Sequence, residues 1–146
     1  MIILDTHVWV WWVHADERIT NAQAAIITAN ETDVIGVSAI SAWEVAKLVE
    51  YNRLELPCLL HEWFHEALNY PGVHLIELTP EIAIESTGLP GEFHRDPADR
   101  IIVATARRYD CPLITSDRKI LEYPYLDFGH FYVFGIQIAQ CLIILV

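Results

Sequence analysis

Residues 1–12 read MIILDTHVWVWW, an almost wholly apolar run that holds one acid, Asp5. A short Ile/Leu-rich stretch ending in a polar pair is the pattern of a central strand packed on both faces of a sheet. A carboxylate at the end of such a strand needs a partner or a metal, because burying it alone is costly. If MIILD is that strand, Asp5 lies at its carboxyl end, where open α/β sheets bind their ligands.

Working outward, β-like and helical segments alternate. DVIGVS (33–38), VHLIEL (73–78) and CPLITSD (111–117) read as further short strands. Between them, NAQAAIITAN (21–30) is an Ala-rich helix. SAWEVAKLVEYNRL (41–54) carries an amphipathic stripe of Trp43, Val45, Ala46, Leu48 and Val49. CLLHEWFHEALNY (58–70) reads as a helix closing at Pro71-Gly72, and TPEIAIES (79–86) as one capped by Thr79 with Pro80 in its first turn. DPADRIIVATARRYD (96–110) starts clearly, with Asp96 as cap and Pro97 behind it. This alternation predicts an α/β domain with a mainly parallel sheet between helical layers.

The chain has 146 residues, 53% of them hydrophobic, which fits a single domain over 1–146. No repeat or Gly/Ser linker marks a boundary. The pattern weakens beyond about Tyr125, and FYVFGIQIAQCLIILV (131–146) is expected to form one or two more strands or an oligomer contact. The apolar run 133–146 is short for a membrane span and includes Gln137 and Gln140. The N-terminus lacks the basic region and cleavage site of a signal peptide. A soluble cytoplasmic protein with no membrane segment is expected. Cys58, Cys111 and Cys141 lie far apart with no CxxC pair, so they read as buried thiols. The net charge of −11 argues against a protein that coats nucleic acid. It leaves room for acids that gather round a divalent metal or form a solvated surface.

Asp5 ends the first strand and Asp117 lies just past PLIT, so two acids face one sheet edge. Glu44, Asp96 and Asp99 fall near helix starts and bring further carboxylates toward it. Carboxylates about 4 Å apart repel by roughly 1 kcal/mol in water and by more near a protein interior. A divalent cation offsets that, and oxygen-only donors favour Mg2+ or Mn2+ over zinc. Metal-dependent phosphoryl chemistry follows. Each helix-start acid also has a structural reading. Ser41-x-x-Glu44 matches a capping box. Asp96 and Asp99 suit a helix dipole, and Asp117 suits the cap of a short helix. Asp5 resists such a reading most.

ILDTHVWVWW, VSAISAWEVAKLVEYNRLEL, HRDPADRIIVATARRY and PLITSDRKILEY, in this order and spacing, resemble a PIN domain, and more narrowly the VapC-type toxins of toxin–antitoxin pairs. The resemblance runs from Met1 to about Tyr125; residues 126–146 are an atypical apolar extension. It implies a three-layer α/β/α sandwich with a mainly parallel sheet, and a Mg2+- or Mn2+-dependent endoribonuclease. The family's acids fall on Asp5, Glu44, Asp99 and Asp117. Asp5, Asp99 and Asp117 are expected to hold the metal. Glu44 is expected to orient the attacking water, to act as general base, or to complete a second metal site. Thr6, Asp96, Thr115 and Ser116 hold supporting positions, with Asp96 as a cap or outer group.

The resemblance also implies a cognate antitoxin and a homodimer built on the helices near the N-terminus. Lys47, Arg53, Arg95, Arg100, Arg118 and Lys119 are the cations placed to meet RNA phosphates, although such residues commonly only solvate helix faces. Trp9, Trp11 and Trp12 are read as core or interface anchors, or as a stacking surface for a base. His7, His14, His94 and His130 are read as structural or surface groups. Two other classes stand beside the nuclease. One is a PIN-like interaction module that has lost cleavage. The other is a phosphatase of the haloacid-dehalogenase type, which would want a DxD motif where Asp5-Thr6-His7 stands.

Overall fold

The computed structural model describes residues 1–126 and the strands Tyr132–Val133 and Ile136–Gln137; expectations for the rest of the tail at 133–146, and for Cys141 and His130, lie outside the described residues. Four strands make the central sheet: β1 (Ile2–Leu4), β2 (Ile35–Ser38), β3 (Val73–Ile76) and β4 (Leu113–Ile114). Their order is β3-β2-β1-β4 and all pairings are parallel. The helices are α1 (Thr6–Val13), α2 (Asn21–Ala29), α3 (Ala39–Glu50), α4 (Leu60–Leu68), α5 (Pro80–Thr87), α6 (Pro97–Arg108) and the single turn α7 (Arg118–Leu121). Tyr132–Val133 and Ile136–Gln137 pair antiparallel as β5 and β6.

Side chains of β1 alternate between two cores, as the period of a strand requires. Ile2 and Leu4 pack with Val8, Trp9, Ile27, Val45 and Trp63. Ile3 points to the other face, onto Ile82, Ile102, Val103 and Ile120. Helices α1, α2 and α4 thus cover one face and α5, α6 and α7 the other, which makes the three-layer α/β/α sandwich. Gly36 on β2 is needed for this packing, since a Cβ there would lie 2.5 Å from Ile3 Cδ1.

The apolar N-terminal run is not strand throughout. The Asp5 N–H donates to Ile114 O at 3.0 Å, Trp9 N–H donates to Asp5 O at 2.9 Å, and from Thr6 the chain is helix. The tryptophans therefore lie on α1. Trp9 is fully buried against Trp63, at a ring distance of 5.0 Å. Trp12 packs edge-on to Tyr70, and the Arg18 guanidinium lies 4.8 Å from the Trp11 ring.

A second shift concerns α3. It begins at Ala39 with Ser38 as cap, three residues earlier than the sequence suggests, so Ser41 and Glu44 form no capping box. Thr79 and Asp96 cap α5 and α6 as expected. Among the described residues no helix is long and apolar enough to cross a membrane.

Candidate active site

Strand order fixes where a ligand can enter. The chain steps outward from β1 to β2 to β3, then returns to place β4 on the other side of β1. The β1–β4 border is thus the point where the order reverses, and crevices of open α/β sheets form there at the carboxyl ends. Asp5 follows β1 and Thr115-Ser116-Asp117 follows β4.

The Asp5 side chain is buried, 3% exposed. Thr115 Oγ1–H donates to Asp5 Oδ2 at 2.7 Å, and the same hydroxyl oxygen accepts the Asp117 N–H at 2.9 Å. One threonine thereby ties the two strand-end acids together. Asp117 also caps α7, accepting Lys119 N–H at 2.7 Å. Ser116 accepts from Gln23 Nε2 at 3.0 Å, which anchors this loop to the start of α2.

Glu44 comes in from the first turns of α3. Thr6 Oγ1 lies 2.5 Å from Glu44 Oε2 and 2.8 Å from Ser41 Oγ. A threonine hydroxyl has one hydrogen, and the bond to a carboxylate is the stronger. Thr6 therefore donates to Glu44 and the fully buried Ser41 donates to Thr6. Asp99 comes from the first turn of α6. The cap Asp96 engages Ala98 N–H and Asp99 N–H, so its carboxylate serves the helix start. His94 Nε2 approaches Asp99 Oδ2 at 3.3 Å but finds no well-aligned acceptor there.

The acids feel one another. Burial pushes the Asp99 carboxyl up to about 7, helped by repulsion from Asp5, Asp96, Glu44 and Asp117. Burial raises Asp5 as well, against the Thr115 hydrogen bond that lowers it. Glu44 is raised first by burial and then by Asp5 and Asp96, while its bond from Thr6 works in the other direction.

Among the described residues no three His, Cys, Asp or Glu side chains are gathered tightly enough to hold an ion as they stand. The donor chemistry nonetheless fits a hard divalent cation: carboxylates converge from four elements, and cationic charge would relieve their repulsion.

The cations expected near RNA divide into two groups. Lys47 pairs with Glu50 at 2.5 Å and lies over the Tyr51 ring. Arg100 turns inward: Nε donates to Ser86 O at 2.8 Å, Nη1 to Phe93 O and His94 O at 3.2 and 3.3 Å, and Nη2 to Thr87 O at 3.5 Å. It is a strut for the chain before α6, its guanidinium engaged by main-chain carbonyls. Arg53, Arg95, Arg118 and Lys119 are exposed.

Sequence reasoning missed three groups beside the acids. Ser41 shares a helix face with Glu44 at a spacing of three, yet that spacing reads equally as a cap. Gln23 completes a capping box with Thr20, and nothing local announces its reach to Ser116. His94, read as a structural or surface group, is half-buried beside Asp99; its place in HRDP was the only signal.

Comparison with known proteins bears on the family and the fold. Residues 2–125 match the family model "PIN domain". The chain is 34% identical over 122 residues to "Ribonuclease VapC22" of Mycobacterium tuberculosis, covering 84% of this chain and 91% of that protein. In fold it is similar to a chain of a "Toxin-antitoxin complex from Klebsiella pneumoniae", with a TM-score of 0.61 and 22% identity, covering 85% of this chain and 93% of that one. The chain belongs to the PIN-domain family, on its VapC-type branch.

Proposed function

We propose that this protein is an endoribonuclease that needs Mg2+ or Mn2+, and the toxin of a toxin–antitoxin pair. The observation that carries the reading is the meeting of Asp5, Glu44, Asp99 and Asp117 at the strand-order reversal, where Asp99 is pushed up to about 7 by burial and by its acidic neighbours. The 34% identity to a named ribonuclease supports the choice of RNA as substrate.

When bound, the cation offsets the repulsion among the acids and stabilises charge developing on the phosphate. Asp5, Asp99 and Asp117 would hold it. Thr115 keeps Asp5 and the Asp117 backbone in register for that task. Glu44 acts on the water. Thr6 occupies its Oε2, which leaves Oε1 to accept a proton from the attacking water, and its upward shift brings it nearer the working pH of a general base. The cognate antitoxin, a homodimer and a cytoplasmic site of action complete the proposal.

The test is cleavage of a single-stranded RNA by purified protein, with Mg2+ or Mn2+ and with EDTA. Wild type should cut only with metal. Asp5→Asn should cut at least about a hundredfold more slowly while keeping its circular dichroism spectrum. Equal cleavage by wild type and Asp5→Asn would remove Asp5 from the mechanism.

A further inference from the structure

Directly before α6 the chain forms a cleft of about 640 Å3, lined by Gly91, Glu92, Phe93, His94, Arg95 and Arg100. That volume lies within the roughly 300–1,000 Å3 typical of small-ligand sites. Its wall reaches the acidic centre, because His94 Nε2 lies 3.3 Å from Asp99 Oδ2. Its shape is set in advance. The Arg100 fork grips the carbonyls of Ser86, Thr87, Phe93 and His94, which pins this segment to the end of α5. Gly91 turns the chain at φ +65°, where a Cβ would lie 2.5 Å from the Tyr125 ring. The Phe93 and His94 rings lie 4.2 Å apart, giving the cleft an aromatic side. Arg95 is exposed, and no carboxylate among the described residues pairs with it.

We propose that this cleft is a nucleotide subsite: it takes one nucleoside of a single-stranded RNA next to the scissile phosphate, with Arg95 on the adjoining phosphate. The subsite rests on the ribonuclease reading and adds to it where the chain of RNA leaves the acids. Aromatic faces such as those of Phe93 and His94 accept a base without regard to its identity. A lone guanidinium fits a phosphate oxygen pair. Glu92, also exposed in the cleft, disfavours a second phosphate there, which limits the site to one nucleotide step. Arg100 builds the cleft and has no role on the phosphate.

The experiment measures binding of a fluorescent single-stranded RNA to the full chain carrying Asp5→Asn, over a range of salt. Arg95→Ala in that background should weaken binding about tenfold and flatten the salt dependence by about 0.7 in log–log slope, the loss of one phosphate contact. In the cleaving protein the same change should raise KM and leave kcat within twofold. Arg108→Ala is the control. It removes an exposed charge about 13 Å further along α6 from Asp99 and should change nothing. Equal loss from Arg95→Ala and Arg108→Ala, or no loss from Arg95→Ala, overturns the subsite. Cleavage by the wild type is measured first: if it cuts RNA and Arg95→Ala binds normally, only the subsite fails, whereas a wild type that cuts no RNA overturns the ribonuclease reading and the subsite with it.

Discussion

The starts of α3 and α6 look alike in sequence, each with a capping residue and a nearby acid, but they divide their work differently. At α6 the cap Asp96 and the half-buried acid Asp99 are three residues apart. Asp96 holds the helix N–H groups, which leaves the Asp99 side chain for the centre. At α3 the same spacing, Ser41 to Glu44, is not a cap at all. The helix starts at Ala39 with Ser38 as its cap, and Ser41 and Glu44 both turn toward Thr6. The lesson is that a helix start can donate an acid to a site only if another residue satisfies its backbone. Asp96 raises Asp99 by its charge, while Ser38 is neutral, so α6 carries more electrostatic tension than α3.

Glu44→Gln bears hardest on this contrast. It keeps the size and the Thr6 contact but removes the base, and RNA cleavage should fall about a hundredfold or more, in the range for loss of a general base. Cleavage near the wild-type rate would return Glu44 to a structural role.

Asp99→Asn tests the tension at α6 without RNA. A carboxyl whose folded pKa is raised binds protons in the native state that the unfolded chain has already lost. Stability of the metal-free protein should therefore fall as pH rises from about 4 toward 7 and stay low above that. The groups facing Asp99 are Asp5, Glu44, Asp96, Asp117 and His94. Thermal melts should show a Tm lower at pH 8 than at pH 5.5 by a few degrees or more, and Asp99→Asn should flatten that slope. A variant with an unchanged slope would mean that Asp99 is not the strained group.

The caps give the smallest effects and separate the two starts most cleanly. Ser38→Ala and Asp96→Ala should each cost about 1 kcal/mol of stability as ordinary cap losses. Only Asp96→Ala should also shift the pH slope of the melts, because of these two caps only Asp96 carries a charge that repels Asp99. Equal slopes in the two variants would erase the distinction.

Much of this was legible. Strand β1, the acid at its end, the α6 start and the sheet type follow from short apolar runs and from Asp96-Pro97. Helix α1 was not, because THVWVWW is apolar on every side and shows no 3.6-residue stripe. Burial on one side against Trp63 and partial burial of Trp12 make it a helix that only the tertiary packing reveals. The acids were legible one by one, but the hydroxyls that hold them were not. Thr6 meets Ser41 across 35 residues and Thr115 meets Asp5 across 110, contacts with no local signature. The partners of Arg100 were hidden for a related reason, since its carbonyl acceptors lie up to 14 residues away and leave no local signature.

We propose that these acids form one cation site. Calorimetric titration of Mn2+ into the protein at several pH values tests it most directly. Binding should release protons, tighten by up to about tenfold per pH unit below 7 as Asp99 gives up its proton, and be lost in Asp5→Asn. Binding of equal affinity in Asp5→Asn, with no dependence on pH, would contradict it.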